Sequence, residues 1–406
     1  MPILDIPAGS AFGLSNLPYG VFSKAHDSRR RIGVALGSHV LDLGPVAVEA
    51  GLGAAELLSE PVLNGFMAAG RPAWQATRRQ LQALLRDESF ADTVARHLVP
   101  LEAVTLHLPF VPGDYVDFYS SEHHATNVGR LFRPDSDPLT PNWKHLPIGY
   151  HGRAGTVVVS GTGIHRPRGL RKGPDDAAPV FAPSGRLDVE VEVGFVVGLG
   201  SGLGVPIPVE DFAEHVFGVC LVNDWSARDI QSFEYVPLGP FLGKSFATSV
   251  SPWIVPLEAL GSARVQPPAR HPQPAAYLAD VPTEPWGLDI ALELELNGQV
   301  LSRPPFATMY WTPAQQLAHM TVNGASTRTG DLYASGTVSG AAAGQRGSLL
   351  ELCWGGSQPI ELADGTKRTF LEDGDVVRIR ATAPGPAGDL IGFGEVAGTI
   401  LPATAM

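Results

Sequence analysis

The sequence predicts a mixed, β-rich fold, and three observations carry that reading. Glycine (46) and proline (36) together make up about a fifth of the 406 residues, against roughly 12% in ordinary proteins, so turns between short strands are frequent. Only 17% of residues are charged while 44% are hydrophobic, which excludes an acidic disordered tail and a coiled coil. Several segments alternate apolar and polar residues with period two, the pattern of strands with one buried face. At about 150 residues per domain, the length allows one large domain with additions or up to three ordinary ones.

The elements follow in order. RRRIGVALGSHVLDL reads as short strands, and Trp74, Leu81, Leu84 and Leu85 recur at helical spacing behind Pro72, predicting a helix over 72–87. After VTLHLPFVPGD the texture changes to strands and Gly/Pro loops rich in His, Asp, Asn and aromatic residues, so a boundary near residue 110 separates 1–110 from 111–406. Arg264 to Trp286 holds six prolines and predicts an extended surface excursion. LDIALELELNGQVLSR alternates cleanly about Asn297-Gly298, a type I′ hairpin turn, with Glu293 and Glu295 on a solvated face. Thr312-Pro313-Ala314-Gln315 combines an N-cap, an N1 proline and a capping-box glutamine, opening a helix that stops at Asn323-Gly324.

Composition also bounds function. With 29 basic and 41 acidic residues the net charge is −12, a surface that repels nucleic acid and anionic membranes. Cys220 and Cys353 lie in apolar runs and read as buried free thiols, which fits a reducing cytoplasm. The opening MPILDIPAGSAFG lacks a basic leader region, and no run of ~20 apolar residues occurs, predicting a soluble, unexported, cytoplasmic chain. Gly239 to Ser245 is one residue short of a phosphate loop, and the alternating glycines Gly198 to Gly204 do not match a dinucleotide fingerprint. GxSxG, HExxH and CxxC are absent, so a nucleophile elbow, a zincin helix and a thiolate zinc site are excluded.

The chemistry concentrates in three clusters. In RLDVEVEVGFVV, period two puts Asp188, Glu190 and Glu192 on one strand face, and that face continues into Gly194 and Val196, the signature of a strand buried on both sides. Buried carboxylates need a compensating cation, and a hard divalent ion with oxygen ligands suits them. In FGVCLVNDWSARDIQSFEYVPLGPFLGKS a strand ends at Asn223-Asp224 and leads into a helix. Asp224, Arg228, Gln231 and Tyr235 are spaced to share one face of it. A loop then returns Lys244 to the same end, a set of groups suited to an anionic, oxygen-rich ligand. The third cluster runs from Asp117 and Tyr119 through His123 and His124 to Arg133, and on to Tyr150.

The strings DFYSSEHHATNVGRLFR, PNWKHLPIGYHGR, LDVEVEVGFVVG, NDWSARDIQSFEYVPLGPFLGKSF, SGTVSG and SLLELCWGG resemble the fumarylacetoacetate hydrolase family over residues 111 to about 400. The resemblance implies a small SH3-like N-terminal barrel, a large mixed β-roll catalytic domain and a homodimer. It implies cleavage of a dicarboxylate β-diketone, 4-fumarylacetoacetate, into fumarate and acetoacetate. By the same resemblance Asp117, Glu190, Glu192 and Asp224 hold Ca²⁺ or Mg²⁺, with a second cation near Lys244 and Thr248. His124 is the general base oriented by Glu351, and Arg228, Gln231 and Lys244 are donors to the oxyanion. Tyr119, Arg133, Tyr150, Gln231, Tyr235 and Thr337 bind the substrate. Two alternatives stay open: a related acylpyruvate hydrolase or oxo-diacid decarboxylase/isomerase, and a metal-stabilised binding protein without turnover.

Overall fold

The computed structural model describes residues 6–7, 9–173 and 176–405. Residues 1–5, on which much of the no-leader expectation rests, lie outside the described residues. A 13-stranded sheet forms the spine. Strand Tyr19–Lys24 pairs with Asp27–Leu36, with Val104–His107 and, across the expected boundary, with Trp253–Pro256. The sheet continues through Val216–Asn223, Val191–Val197, Leu332–Ala334, Tyr115–Phe118 and Gly149–His151. Among the described residues the N-terminal strand pairs do not close into a ring. Their core instead merges with the sheet, where Phe66, Trp74 and Leu81 pack in one cluster with Phe217 and Cys220.

A five-stranded sheet, Gln299–Ser302, Ala291–Leu296, Val376–Pro384, Leu390–Leu401 and Ile164–His165, covers the other part of the molecule. Val193, Phe195, Leu221, Leu294, Ile379 and Val396 share the core between the sheets. Every residue of Val191–Val197 is buried, as expected of a strand with no solvated face. Among the described residues no helix is long and apolar enough to cross a membrane.

Local readings hold with adjusted ends. The N-terminal helix spans Arg71–Leu84, with Pro72 in its first turn. The hairpin turns at Asn297 (φ 50°) and Gly298 (φ 83°), the left-handed pair that this turn requires. The capping-box helix spans Pro313–Thr321 and ends just short of Asn323-Gly324.

Two expectations about exposure change. Glu295 is not on a solvated face: Arg378 and Arg380 of the neighbouring strand each reach it at 3.0 Å and cover it. The proline-rich stretch is irregular but anchored, because Leu278 is fully buried and Arg270 donates to the Tyr310 carbonyl at 2.7 Å and pairs with Asp280.

Candidate active site

Strand register assembles the acidic cluster. Val191 lies opposite Asn223 in an antiparallel pair, which brings Glu190 and Glu192 beside Asp224 at the same sheet end. Ala334 pairs in parallel with Asp117, adding a fourth carboxylate from the far side. All four are buried, and one oxygen from each lies within 4.8 Å of the others.

Lys244 Nζ pairs with Glu190 and with Asp224, the latter at 2.5 Å, and Arg228 Nη2 stands 2.6 Å from Glu190. Tyr150 donates its hydroxyl to Asp224 at 2.9 Å and Thr248 does so at 3.1 Å. Gly336 N–H donates to Glu192 at 3.1 Å. That glycine has φ +77°, and a Cβ there would lie 2.1 Å from the Phe118 carbonyl oxygen.

Two cations face four carboxylates, and the cluster is left short of positive charge. Asp117 Oδ1 and Glu192 Oε1 are buried without a hydrogen-bond partner. Burial and then repulsion from Asp224 push the Asp117 carboxyl well above the usual carboxylate range, and burial with repulsion from Asp117 does the same to Glu192. Although burial disfavours its charge, Lys244 is raised above an ordinary lysine by Asp224 and Glu190. Orphaned, close-set, buried oxygens are the donor set of a hard divalent cation, so the residues fit one.

A second constellation lies beside the first. Ser121 caps the helix Glu122–Phe132, accepting from His124 N–H at 3.2 Å. His124 Nδ1 is 2.7 Å from Glu351 Oε2. Asn127 donates to Glu351 Oε1 at 2.8 Å, while Ser339 and Ser348 hydroxyls each donate to Oε2 at 2.9 Å. Burial alone would raise the Glu351 carboxyl, but His124 and these donors together hold it below the ordinary range. The carboxylate thus fixes the proton on Nδ1 and leaves Nε2 as the free ring nitrogen.

Both constellations meet at one cavity of ≈ 440 Å³. Asp117, Glu190, His124, Arg228, Gln231 and Lys244 line it. So do the expected substrate contacts Tyr119, Arg133, Tyr150, Tyr235 and Thr337, with Phe132 and Leu238 adding apolar wall. Glu192, Asp224, Thr248 and Glu351 stand behind this lining.

Some placements differ from the expectation. Asp224 is not on the helix with Arg228: the intervening Ser226–Ala227 is a short strand paired with Leu187–Asp188, so the helix is Arg228–Glu234. Arg228 therefore turns to Asp188 and Glu190. Arg133 is exposed at the outer wall and donates to the Pro138 carbonyl at 2.8 Å. Sequence reasoning missed Asn127, Ser339 and Ser348, whose only signal was their place within DFYSSEHHATN, SGTVSG and SLLEL.

Comparison with known proteins agrees with this geometry. Residues 115–401 match the family model "Fumarylacetoacetate (FAA) hydrolase C-terminal", and 15–109 match "Fumarylacetoacetase N-terminal". The chain is 48% identical over 424 residues to the fumarylacetoacetase of Homo sapiens, covering 99% of each chain. It is 45% identical over 416 residues to that of Arabidopsis thaliana, covering 98% of each. Its fold is shared with a fumarylacetoacetate hydrolase from psychrophilic Exiguobacterium antarcticum (TM-score 0.54, 17% identity, 95% of this chain and 99% of that one). It is shared also with a maleylpyruvate hydrolase from Sphingobium sp. SYK-6 (TM-score 0.51, 14% identity, 96% and 100%). Matched along nearly all of its length, the chain belongs to the fumarylacetoacetate hydrolase family.

Proposed function

We propose that this chain is a hydrolase that cleaves 4-fumarylacetoacetate to fumarate and acetoacetate, the last step of tyrosine and phenylalanine degradation. The observation that supports it most is the convergence of the His124–Glu351 pair and the Asp117/Glu190/Glu192/Asp224 cluster on one cavity.

Water attack on the carbonyl needs a base, and His124 Nε2 takes that proton while Glu351 stabilises the resulting imidazolium through Nδ1–H. Water is the nucleophile, so no acyl-enzyme is needed. Oxyanion charge develops as water adds. Arg228 and Gln231 at the cavity wall are the donors to it, and so is Lys244, which has a third ammonium proton beyond those given to Glu190 and Asp224. Collapse of the adduct breaks the C–C bond, and His124 returns its proton to the acetoacetate leaving group. A Ca²⁺ or Mg²⁺ held by Asp117, Glu190, Glu192 and Asp224 supplies Lewis-acid stabilisation of the β-dicarbonyl oxygens when bound. An ammonium is no metal ligand, so Lys244 acts there as a neighbouring charge and Thr248 as a donor to Asp224. Arg133, Tyr119, Tyr150, Tyr235 and Thr337 orient the dicarboxylate, Arg133 through its bidentate fork.

The same reading makes the chain a cytoplasmic homodimer, with residues 1–110 as an N-terminal module and 111–406 as the catalytic unit. A panel comparing kcat/KM for 4-fumarylacetoacetate with short acylpyruvates and unsaturated oxo-diacids tests the substrate. Preference for fumarylacetoacetate supports it, and preference for an acylpyruvate, or isomerisation without cleavage, overturns it.

A further inference from the structure

Asp188 stands next to the acidic cluster without joining it. It ends the short strand Leu187–Asp188, opposite Ser226 in the strand that leads directly into the Arg228 helix. The residue is fully buried, and four donors surround its carboxylate. Val189 and Leu349 N–H groups reach Oδ1, each at 2.8 Å. Leu350 N–H reaches Oδ2 at 3.1 Å and Arg228 Nε at 2.8 Å.

Those partners belong to two different parts of the catalytic apparatus. Leu349 and Leu350 open the turn Leu349–Leu352, which carries Glu351 and through it orients His124. Arg228 is one of the oxyanion donors of the proposed reaction, and its Nη1 lies 3.3 Å from Gln231 Oε1 at the cavity wall. Glu190 also pairs with Arg228, but Glu190 belongs to the acidic cluster, whereas among the described residues the donors to Asp188 are Val189, Leu349, Leu350 and Arg228. A carboxylate is costly to bury and is tolerated here because its donors are complete.

We propose that Asp188 is a positioning residue that locks Arg228 and the Glu351–His124 pair into one frame, so that base and oxyanion donor address the same carbonyl. The proposal rests on the hydrolytic reading above and deepens it. Asp188→Asn keeps the shape but converts one acceptor oxygen to an NH₂. In either amide orientation, that NH₂ faces two existing donors.

The test measures steady-state kinetics with 4-fumarylacetoacetate and Ca²⁺ binding for wild type, Asp188→Asn, Arg228→Lys and the double variant. The expected result is a kcat lowered about 10- to 100-fold in Asp188→Asn, with KM within about threefold and Ca²⁺ affinity unchanged. On the Arg228→Lys background the same change should cost about three- to tenfold less than it does in wild type, because the Arg228 arm is already lost while the Leu349–Leu350 arm remains. A kcat within threefold of wild type, a parallel loss of Ca²⁺ affinity, or full additivity in the double variant overturns the proposal. Should Asp188→Asn fail to fold, hydrogen exchange of the peptide spanning Ser348 to Leu352 in Arg228→Lys decides. Exchange faster by about tenfold supports the link, and unchanged exchange overturns it. A wild type inactive on fumarylacetoacetate would defeat the functional reading while leaving this exchange measurement to settle the coupling.

Discussion

His124 Nδ1 and Glu351 Oε2 stand 2.7 Å apart although 227 residues separate them in sequence. The contact joins the first helix after the N-terminal segment to a short turn near the C-terminus, and both residues are buried. It sets the imidazole tautomer, and the proposed reaction depends on that tautomer.

Replacing His124 by Ala removes the proposed base and changes none of the four clustered carboxylates. The expected loss in kcat is about 10²- to 10⁴-fold, with Ca²⁺ binding retained by calorimetry. Glu351→Gln should fall in the same range, since the tautomer is no longer enforced. Near-normal kcat in His124→Ala would remove it as base.

Glu351 also links pH to stability. Its folded pKa lies below the ordinary value, so the unfolded chain binds more protons and stability rises with pH. The contribution is complete above the unfolded carboxylate pKa of about 4.3 and is lost as pH falls through the lower folded value. Thermal melts of wild type and Glu351→Gln between neutral and acidic pH should therefore converge on acidification. A gap that widens toward acid contradicts the sign.

The cluster carries a prediction of opposite sense for stability and binding. Removing divalent cations with chelator should lower Tm, because ligand at 100 times its Kd contributes about 2.7 kcal/mol, and calcium or magnesium add-back should restore it. Glu192→Gln should relieve repulsion among the buried carboxylates. The cation-free variant should then melt above the cation-free wild type while its own response to calcium is weakened. Equal melting of both cation-free forms would sink the electrostatic account.

Gly336→Ala tests the backbone that feeds Glu192. A Cβ at φ +77° is strained and would meet the Phe118 carbonyl, so a loss of more than ~1 kcal/mol is expected. Urea titration measures it, and a neutral effect contradicts the tight approach.

Much of this was legible in the sequence where chemistry and local pattern coincide. The buried strand Val191–Val197, the Asn297-Gly298 turn and the Thr312 capping box depend on neighbours a few residues away, and the structure has them as read. Helical spacing puts Asp224 on a helix, whereas Ser226–Ala227 is a short strand held by Leu187–Asp188 and by the Gly243 carbonyl, which accepts from Ala227 N–H at 2.8 Å. Partners outside the local segment likewise hid the donors around Asp188, the Ser339 and Asn127 grip on Glu351, and the cover that Arg378 and Arg380 give Glu295. The direct pairing of Tyr19–Lys24 with Trp253–Pro256 was invisible for the same reason. Spacing within a segment cannot reveal a partner brought in from another part of the chain.

The most direct test of the central claim is proton NMR of 4-fumarylacetoacetate incubated with the calcium- or magnesium-loaded chain. The account predicts fumarate and acetoacetate in equal amounts, with no such products from His124→Ala. Unchanged substrate, or a decarboxylated or isomerised product in place of fumarate, would contradict it.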